Sequence, residues 1–295
     1  MKVLSAKGIK GQIQEELKSA VDDIKEKNVQ PTLAVVLVGD DPASAIYVKG
    51  KQKDCELLGI KSILKQLPQE TTQKQLLDVI GELNEDSSVN GILCQVPLPD
   101  QCDEAEVMRT ILPEKDVDCF HPYNVGLLTS GKPNFMPCTP FGILQILKRY
   151  GYDVKGKNVT IIGRSNIVGR PLSVLLSLKG WDATVTVCHS RTEDIKGICQ
   201  QADILVAAIG RAKFVTADFV KKGAILVDVG MNRIDDPTHP KGSRLVGDID
   251  YEGIKEIAEA ATPVPGGVGV MTRSMLMFNT INAARLQNGM DPFEI

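Results

Sequence analysis

The chain is poor in the residues that build metal centres. Its 295 residues include three histidines, His121, His189 and His239, without metal-ligand spacing, and seven cysteines, at 55, 94, 102, 119, 138, 188 and 199, without a C-x-x-C pair. No structural or catalytic zinc is expected. An odd number of scattered cysteines reads as reduced, mostly buried thiols rather than a disulfide framework. A basic excess is also missing: 34 Lys and Arg face 37 Asp and Glu, for a formal net charge of −3. That balance gives no global field for a nucleic-acid or membrane partner. No apolar run reaches membrane-spanning length, and Met1 to Gly8 lack a signal-peptide apolar core, so a cytoplasmic protein is expected. Internal repeats and low-complexity segments are absent.

What is present is enough hydrophobic sequence, 43% of the chain, to bury a full core in two domains. Ile9, Ile13, Leu17, Val21 and Ile24 recur every three or four residues and predict a long amphipathic first helix. Leu33 to Val38 is a continuous apolar run of buried-strand type, stopped by Gly39-Asp40-Asp41-Pro42. A helix carrying Tyr47, Lys51 and Cys55 follows, then a strand over 62–67, a helix with Leu76, Leu77, Ile80 and Leu83 on one face, and a strand over 91–96. The β-α-β-α-β order predicts a parallel sheet covered on both faces. A Gly, Pro and Asn-rich stretch reaching Pro137-Cys138-Thr139-Pro140 marks a domain boundary. Beyond a helix over 141–150, strands at 158–163, 183–189, 203–209 and 224–229 alternate with helices, predicting a second parallel sheet of Rossmann type. Two such α/β domains in series suggest a ligand cleft between them.

The most informative stretch is Val159 to Pro171, where a β-branched run ends at Gly163 and a polar turn leads to Gly169, Pro171 and a helix over 172–178. Free N–H groups and the dipole at a helix N-terminus favour a phosphate there. The spacing is G-x-S-x-x-x-G rather than the common dinucleotide fingerprint, and an ordinary tight βα connection accounts for it equally well.

In the first half, Tyr47 and Lys51 stand four residues apart and share a helix face. A lysine partly desolvated beside an aromatic ring acquires a pKa useful for proton transfer, although a surface lysine lying over a tyrosine fits the same spacing. The Tyr-x-x-x-Lys pair of short-chain dehydrogenases follows its dinucleotide turn, whereas this pair precedes Gly163, so that homology is rejected. Gln95 lies at the carboxyl end of the third strand, where open α/β sheets bind ligands. Asp118 is one of two loop carboxylates able to accept N–H donors from a heterocycle, or simply part of a solvated acidic turn.

The second domain discriminates between cofactors. NAD sites place an acid after the second strand to bind the ribose 2′-hydroxyl. Here that strand ends Val187-Cys188-His189-Ser190-Arg191-Thr192, with no acid at its tip. A hydroxyl at Ser190 and a guanidinium from Arg164 suit a 2′-phosphate, which favours NADP.

Six stretches together resemble one family, the bifunctional methylenetetrahydrofolate dehydrogenase/methenyltetrahydrofolate cyclohydrolases. They are Tyr47 to Lys51, Gln95 to Pro99, Pro113 to Asp118, Pro137 to Pro140, Gly163-Arg164-Ser165 with Val168 to Pro171, and Thr262 to Gly269, in family order across nearly the whole chain. The resemblance implies that Tyr47 stacks on the folate, Lys51 is the central catalytic residue, Gln95 positions it and Asp118 binds the pterin. It implies that the loop of Pro265, Gly266, Gly267, Val268 and Gly269 closes on the substrate. It also implies that Gly163, Arg164, Ser165, Val168 and Ser190 hold NADP with Met231 packed near it, and that the protein is a homodimer. The corresponding domains are residues 1–138 with a returning C-terminal helix, 272–295, for folate, and 139–271 for NADP. The implied activity is oxidation of 5,10-methylenetetrahydrofolate with NADP, then hydrolysis of the methenyl product to 10-formyltetrahydrofolate. A dehydrogenase-only enzyme, a non-catalytic folate- or nucleotide-binding protein, and an amino-acid-dehydrogenase-like enzyme are the rival readings. Cys119 stands where the family commonly has glycine, and a side chain at a permissive backbone position is expected to disturb the Asp118 loop. If Arg164 and Ser190 read a 2′-phosphate, initial rates will show higher catalytic efficiency with NADP than with NAD; equal efficiencies would refute that reading.

Overall fold

The computed structural model describes residues 1–238 and 242–295, so His239 lies outside the described residues. The chain divides into two compact units, one of Gln12–Cys138 with Arg273–Ile295, the other of Met1–Gly11 with Thr139–Thr272. In chain order the elements begin β1 (Lys2–Val3), α1 (Lys7–Glu26), β2 (Thr32–Val38), α2 (Pro42–Leu58), β3 (Lys61–Leu67), α3 (Gln73–Glu85) and β4 (Gly91–Cys94). They continue with α4 (Glu104–Thr110), α5 (Pro122–Thr129), α6 (Cys138–Arg149), β5 (Asn158–Ile162), α7 (Gly169–Ser177), β6 (Thr184–Cys188) and α8 (Ile195–Cys199). The last are β7 (Ile204–Ala207), β8 (Ile225–Asp228), β9 (Asn232–Asp235), β10 (Ser243–Val246), β11 (Ala260–Ala261) and α9 (Val268–Gln287).

In the unit built on Gln12–Cys138, β2 is central in a parallel three-stranded sheet of order β3-β2-β4. All of β2 is buried, which is why its sequence is a continuous apolar run rather than an alternation. Ala34, Val36 and Val38 pack with Leu76, Ile80 and Leu83 of α3 and with Val107 of α4. The α1 stripe of Ile13, Leu17, Val21 and Ile24 is fully buried, each side chain contributing about 2 kcal/mol of hydrophobic stabilisation. In α9, by contrast, Met275, Leu276 and Met277 are buried together with Asn279, Thr280 and Asn282. Such a helix has no polar face, and each polar group needs an internal partner. Asn279 is satisfied at both ends of its amide, Nδ2 donating to the carbonyls of Val117 and Met136 at 2.7 Å each and Oδ1 accepting from Met136 N at 3.3 Å.

The other unit holds a parallel six-stranded sheet of order β1-β11-β8-β7-β5-β6, with β9 and β10 forming a separate antiparallel pair. Counted from β5 as the first strand, β6-β5-β7-β8-β11 reads 2-1-3-4-5, a doubly wound order that reverses between the first and third strands. Lys2 and Val3 pair with Ala260 and Ala261, so Met1–Gly11 group with this unit rather than with the residues that follow them. Two-residue strands leave no periodicity in the sequence, and neither β1 nor β11 is legible there.

Two buried aspartates hold the loops at the carboxyl ends of β7 and β8. Asp248 accepts from the N–H groups of Ile209 (2.7 Å), Gly210 (2.9 Å) and Arg211 (2.8 Å) and from Asn232 Nδ2 (2.9 Å). Asp228 accepts from the N–H groups of Gly230, Asp248 and Ile249, and burial nonetheless pushes its carboxyl up to about 6. A Cβ on Gly230 or Gly247 would collide with these carboxylates, so the two glycines make room for the pair. Replacing Asp248 with Asn puts an NH2 group opposite N–H donors, and we expect a loss of about 3 kcal/mol in urea unfolding; a loss under about 1 kcal/mol would show that other contacts hold the loop.

Candidate active site

The catalytic candidates gather on α2 and the strand ends around it. Asp41 caps α2 by accepting from Ser44 N at 2.7 Å, Pro42 opens the first turn, and Gly59, at φ +76°, closes the last with its N–H on Cys55 and Glu56 carbonyls. The intervening turns put Tyr47, Gly50, Lys51 and Asp54 on one stripe. Lys51 Nζ donates to Gln95 Oε1 at 2.8 Å. Gln95 is itself fixed: its backbone N donates to Val36 O at 2.9 Å and its Nε2 to Val96 O at 2.6 Å, which turns the amide oxygen toward the lysine. Because β2 is followed by β3 on one side and β4 on the other, Gln95 occupies the switch point of this sheet.

Burial lowers the pKa of Lys51; Asp118 and Cys138 oppose that shift and Arg273 adds to it. For Asp118 burial acts in the opposite direction, raising its carboxyl, with Lys51 partly offsetting it. Desolvation therefore pushes both members of the pair toward their neutral forms. Tyr47, half-buried on the same stripe, has its phenol raised by burial and pulled back by Arg273.

The segment Lys115-Asp116-Val117-Asp118-Cys119 divides its labour. Lys115 donates to the carbonyls of Leu83 (3.0 Å), Asn84 (2.8 Å) and Asp86 (2.8 Å), closing the carboxyl end of α3. Asp116 accepts from Phe120 N, His121 N and Asn124 Nδ2 at 3.1, 2.8 and 2.8 Å. Both are structural, which leaves Asp118 as the carboxylate that faces Lys51 and Cys138. Cys119 sits at φ +63°, buried, with Sγ donating to Phe135 O at 3.4 Å. The backbone there takes the left-handed form despite the side chain, and the thiol's contact anchors the loop.

Arg273 is absent from every pattern the sequence offers. It ion-pairs through Nε with Asp54 Oδ2 at 2.9 Å, and a Cβ on Gly50 would collide with its Nη1. A glycine in the middle of α2, between Tyr47 and Asp54, was the available signal: it costs helix stability unless something approaches closely.

In the other unit, Gly163 has φ +123°, and a Cβ there would strike the Ala208 carbonyl at the end of β7; a Cβ on Gly169 would strike the carbonyl of Gly163. The turn is thus closed to side chains at the β5/β7 reversal and opens onto the N-terminus of α7. Ser165 Oγ accepts from Val168 N at 3.1 Å and Gly169 N at 3.5 Å. Arg164 and Ser190 are exposed just beyond Ile162 and Cys188, which pair in register. These features fit a dinucleotide pyrophosphate at the turn and a charged substituent beside it. Pro265 to Gly269 belong to this unit; Gly266 has φ +107°, its carbonyl accepts from Ala6 N at 2.8 Å, and α9 starts at Val268. Met231 is 46% exposed, and a Cβ on Gly269 would lie 3.4 Å from its Sδ. Among the described residues no group of three His, Cys, Asp or Glu is placed to hold a metal ion.

A doubly wound nucleotide-binding unit, joined in one chain to an α/β unit with a lysine, an amide and a carboxylate at its switch point, defines a two-domain, dinucleotide-binding α/β enzyme. The family profile for the tetrahydrofolate dehydrogenase/cyclohydrolase catalytic domain matches residues 4–118, and that for the NAD(P)-binding domain of the same family matches residues 137–288. The bifunctional protein FolD of Caldicellulosiruptor saccharolyticus is 53% identical over 281 residues, covering 94% of this chain and 98% of that protein. The crystal structure of the bifunctional methylenetetrahydrofolate dehydrogenase/cyclohydrolase FolD from Campylobacter jejuni superposes with a TM-score of 0.91 at 46% identity, covering 97% and 99% of the two chains. The Trypanosoma brucei enzyme, solved with NADP and an inhibitor, gives 0.90 at 36% identity over 96% and 97%. The chain belongs to the tetrahydrofolate dehydrogenase/cyclohydrolase family.

The left-handed backbone at Cys119 generates a test. Cys119→Gly and Cys119→Ala both lose the buried thiol, but only glycine relieves the backbone. We expect the glycine variant to be more stable than the alanine variant by about 1 kcal/mol in urea unfolding; the reverse order would show that the loop relaxes around a side chain without strain.

Proposed function

We propose that the protein oxidises 5,10-methylenetetrahydrofolate to the methenyl form with NADP and hydrolyses that product to 10-formyltetrahydrofolate. The observation that carries this reading is the Lys51 Nζ to Gln95 Oε1 hydrogen bond at the switch point, with Asp118 facing the same lysine. In this reading Tyr47 stacks on the pterin, Asp118 binds its N–H edge, and the Pro265 to Gly269 loop closes over the substrate. Gly163, Arg164, Ser165, Val168 and Ser190 hold NADP, and Met231 packs beside it. The folate domain is the unit of Gln12–Cys138 with Arg273–Ile295, and the NADP domain the unit of Thr139–Thr272 with Met1–Gly11.

NADP, when bound, supplies the hydride acceptor for the one-carbon bridge. Lone pairs on the two nitrogens flanking that bridge stabilise the cation left behind, so the protein's contribution to oxidation is orientation rather than a strong base. Hydrolysis makes a different demand. Water adds through oxygen to the methenyl carbon and must lose a proton, which the neutral Lys51 amine accepts while Gln95 holds the amine in place. Cleavage of the bond from that carbon to N5 then leaves the formyl group on N10, with N5 taking a proton. The sum is one water consumed and one proton released. Burial of Lys51 suits this role because it favours the neutral amine.

The protein is further proposed to work in the cytoplasm as a homodimer. No described helix is long and apolar enough to cross a membrane, and β6 is a sheet edge able to meet a second copy.

Lys51→Met tests the assignment. Absorbance of methenyltetrahydrofolate should show hydrolysis reduced by at least about a hundredfold, and NADPH formation from methylenetetrahydrofolate reduced by less. Near-normal hydrolysis by the variant would end the proposal.

A further inference from the structure

Asp248 is completely buried, and the groups that donate to its carboxylate belong to two different loops. Oδ2 takes the N–H groups of Ile209 and Gly210, and Oδ1 that of Arg211, in the loop that follows β7; Oδ1 also takes Asn232 Nδ2, in the segment that follows β8. Three successive N–H groups turned onto one anion form a nest, filled here from inside the protein rather than by a ligand. The carboxylate stands on a fixed base. The Asp248 N–H donates to Asp228 Oδ1 at 2.8 Å, the Asp248 carbonyl accepts from Val215 N at 2.9 Å, and Ile249 bridges to Val215. Gly230, where a side chain would collide with Asp248, donates to Asp228 Oδ1 at 2.9 Å. Met231 is thereby flanked by two residues held by the aspartate pair, and is itself exposed. The Gly163 turn after β5 suits the pyrophosphate of a dinucleotide, and the tip of β6 its adenosine ribose. On a sheet ordered β6-β5-β7-β8, the other half of the dinucleotide extends the opposite way, over the carboxyl ends of β7 and β8. Those are the ends followed by the two loops that Asp248 ties together.

We propose, on the reading of the Gly163 turn as the NADP site, that Asp248 is a positioning residue for hydride transfer: it clasps the loops after β7 and β8 at one fixed spacing, so that the nicotinamide half of NADP is held in a single orientation. The adenosine half has its own contacts at the Gly163 turn and the tip of β6 and does not depend on the clasp. Neither does hydrolysis, which consumes water rather than NADP and is assigned to Lys51 and Gln95 in the other unit.

The test compares the two halves of the cofactor on the full-length enzyme. Asp248→Asn turns an NH2 group toward the nest, whereas Asn232→Leu cuts only the tie to the segment after β8 and leaves the three N–H contacts in place. Titration calorimetry with NADP and with 2′-phospho-ADP-ribose, which carries the same adenosine and pyrophosphate but no nicotinamide, reads the effect without turnover. Both variants should bind NADP about fivefold more weakly, the loss of roughly one hydrogen bond, and should bind 2′-phospho-ADP-ribose as the unaltered enzyme does. Single-turnover NADPH formation should slow about tenfold from the misplaced ring, with hydrolysis of methenyltetrahydrofolate unchanged. Should Asp248→Asn fail to fold, Asn232→Leu decides the matter, since Asp248 keeps its backbone donors there. Equal weakening of both ligands, which a merely structural role predicts, or unchanged hydride transfer in the folded variants would overturn the inference. Failure of the unaltered enzyme to bind 2′-phospho-ADP-ribose would instead overturn the reading of the Gly163 turn on which it rests.

Discussion

The constraint on which both units depend is the reversal of strand order in a parallel sheet. A right-handed crossover from a central strand to one neighbour, followed by a return to the other side, sends successive connections to opposite faces. The two connections part at the carboxyl ends of the central strands and leave a crevice there. In one unit the reversal falls between β2 and β4, in the other between β5 and β7. Gln95 immediately follows β4, and Gly163 immediately follows β5. The two halves of the chain thus use one topological device for different contents, a polar trio around a lysine in one and a turn closed to side chains in the other.

Burial of charge separates the structural ionisable residues from the reactive one. Lys115 has three carbonyl partners, Asp116 has two backbone N–H groups and an amide, and Asp248 has three N–H groups and an amide. Each is matched to its environment so completely that a change of protonation would break several bonds at once. Lys51 is bound to a single amide oxygen. Its charge is set by the balance of burial, Asp118, Cys138 and Arg273, and a balance of that kind is what a proton acceptor requires.

The sequence discloses the parts of this arrangement that follow from local periodicity. The run Leu33 to Val38, the α1 stripe and the 158–163 strand are legible because burial on one or both faces imposes a pattern over five or more residues, and the observed elements lie within a few residues of those expectations. The pairing of β1 with β11 is not legible, since two-residue strands impose no pattern. The helix α5 hides in a stretch rich in Gly, Pro and Asn, where His121 and Pro122 act as start signals at its N-terminus. Within the site, the neighbourhood of Tyr47 and Lys51 follows from helical spacing, but the bond from Lys51 to Gln95 joins residues 44 apart and depends on tertiary packing. Arg273 is further removed, meeting Asp54 across most of the chain. The motif Lys115-Asp116-Val117-Asp118 is equally instructive: identical residue types two positions apart take opposite roles, because one turns inward to backbone N–H groups and the other toward a lysine.

The choice of an amide at position 95 completes the electrostatic logic. A carboxylate 2.8 Å from Nζ would orient the lysine as well as Gln95 does, but at that distance in a half-buried site it would stabilise the ammonium strongly and remove the free amine. A purely apolar neighbour would leave the amine uncharged but without a fixed direction. The amide supplies direction through one acceptor while carrying no net charge, and its own NH2 group is occupied by the Val96 carbonyl, so the acceptor cannot easily rotate away. The compensating negative charge is placed instead on Asp118, whose carboxyl is itself raised by burial. Lys51 can therefore alternate between amine and ammonium while keeping the same partner at Gln95, since both forms have a hydrogen to donate. That property distinguishes a lysine held for proton transfer from one held, like Lys115, to close a helix.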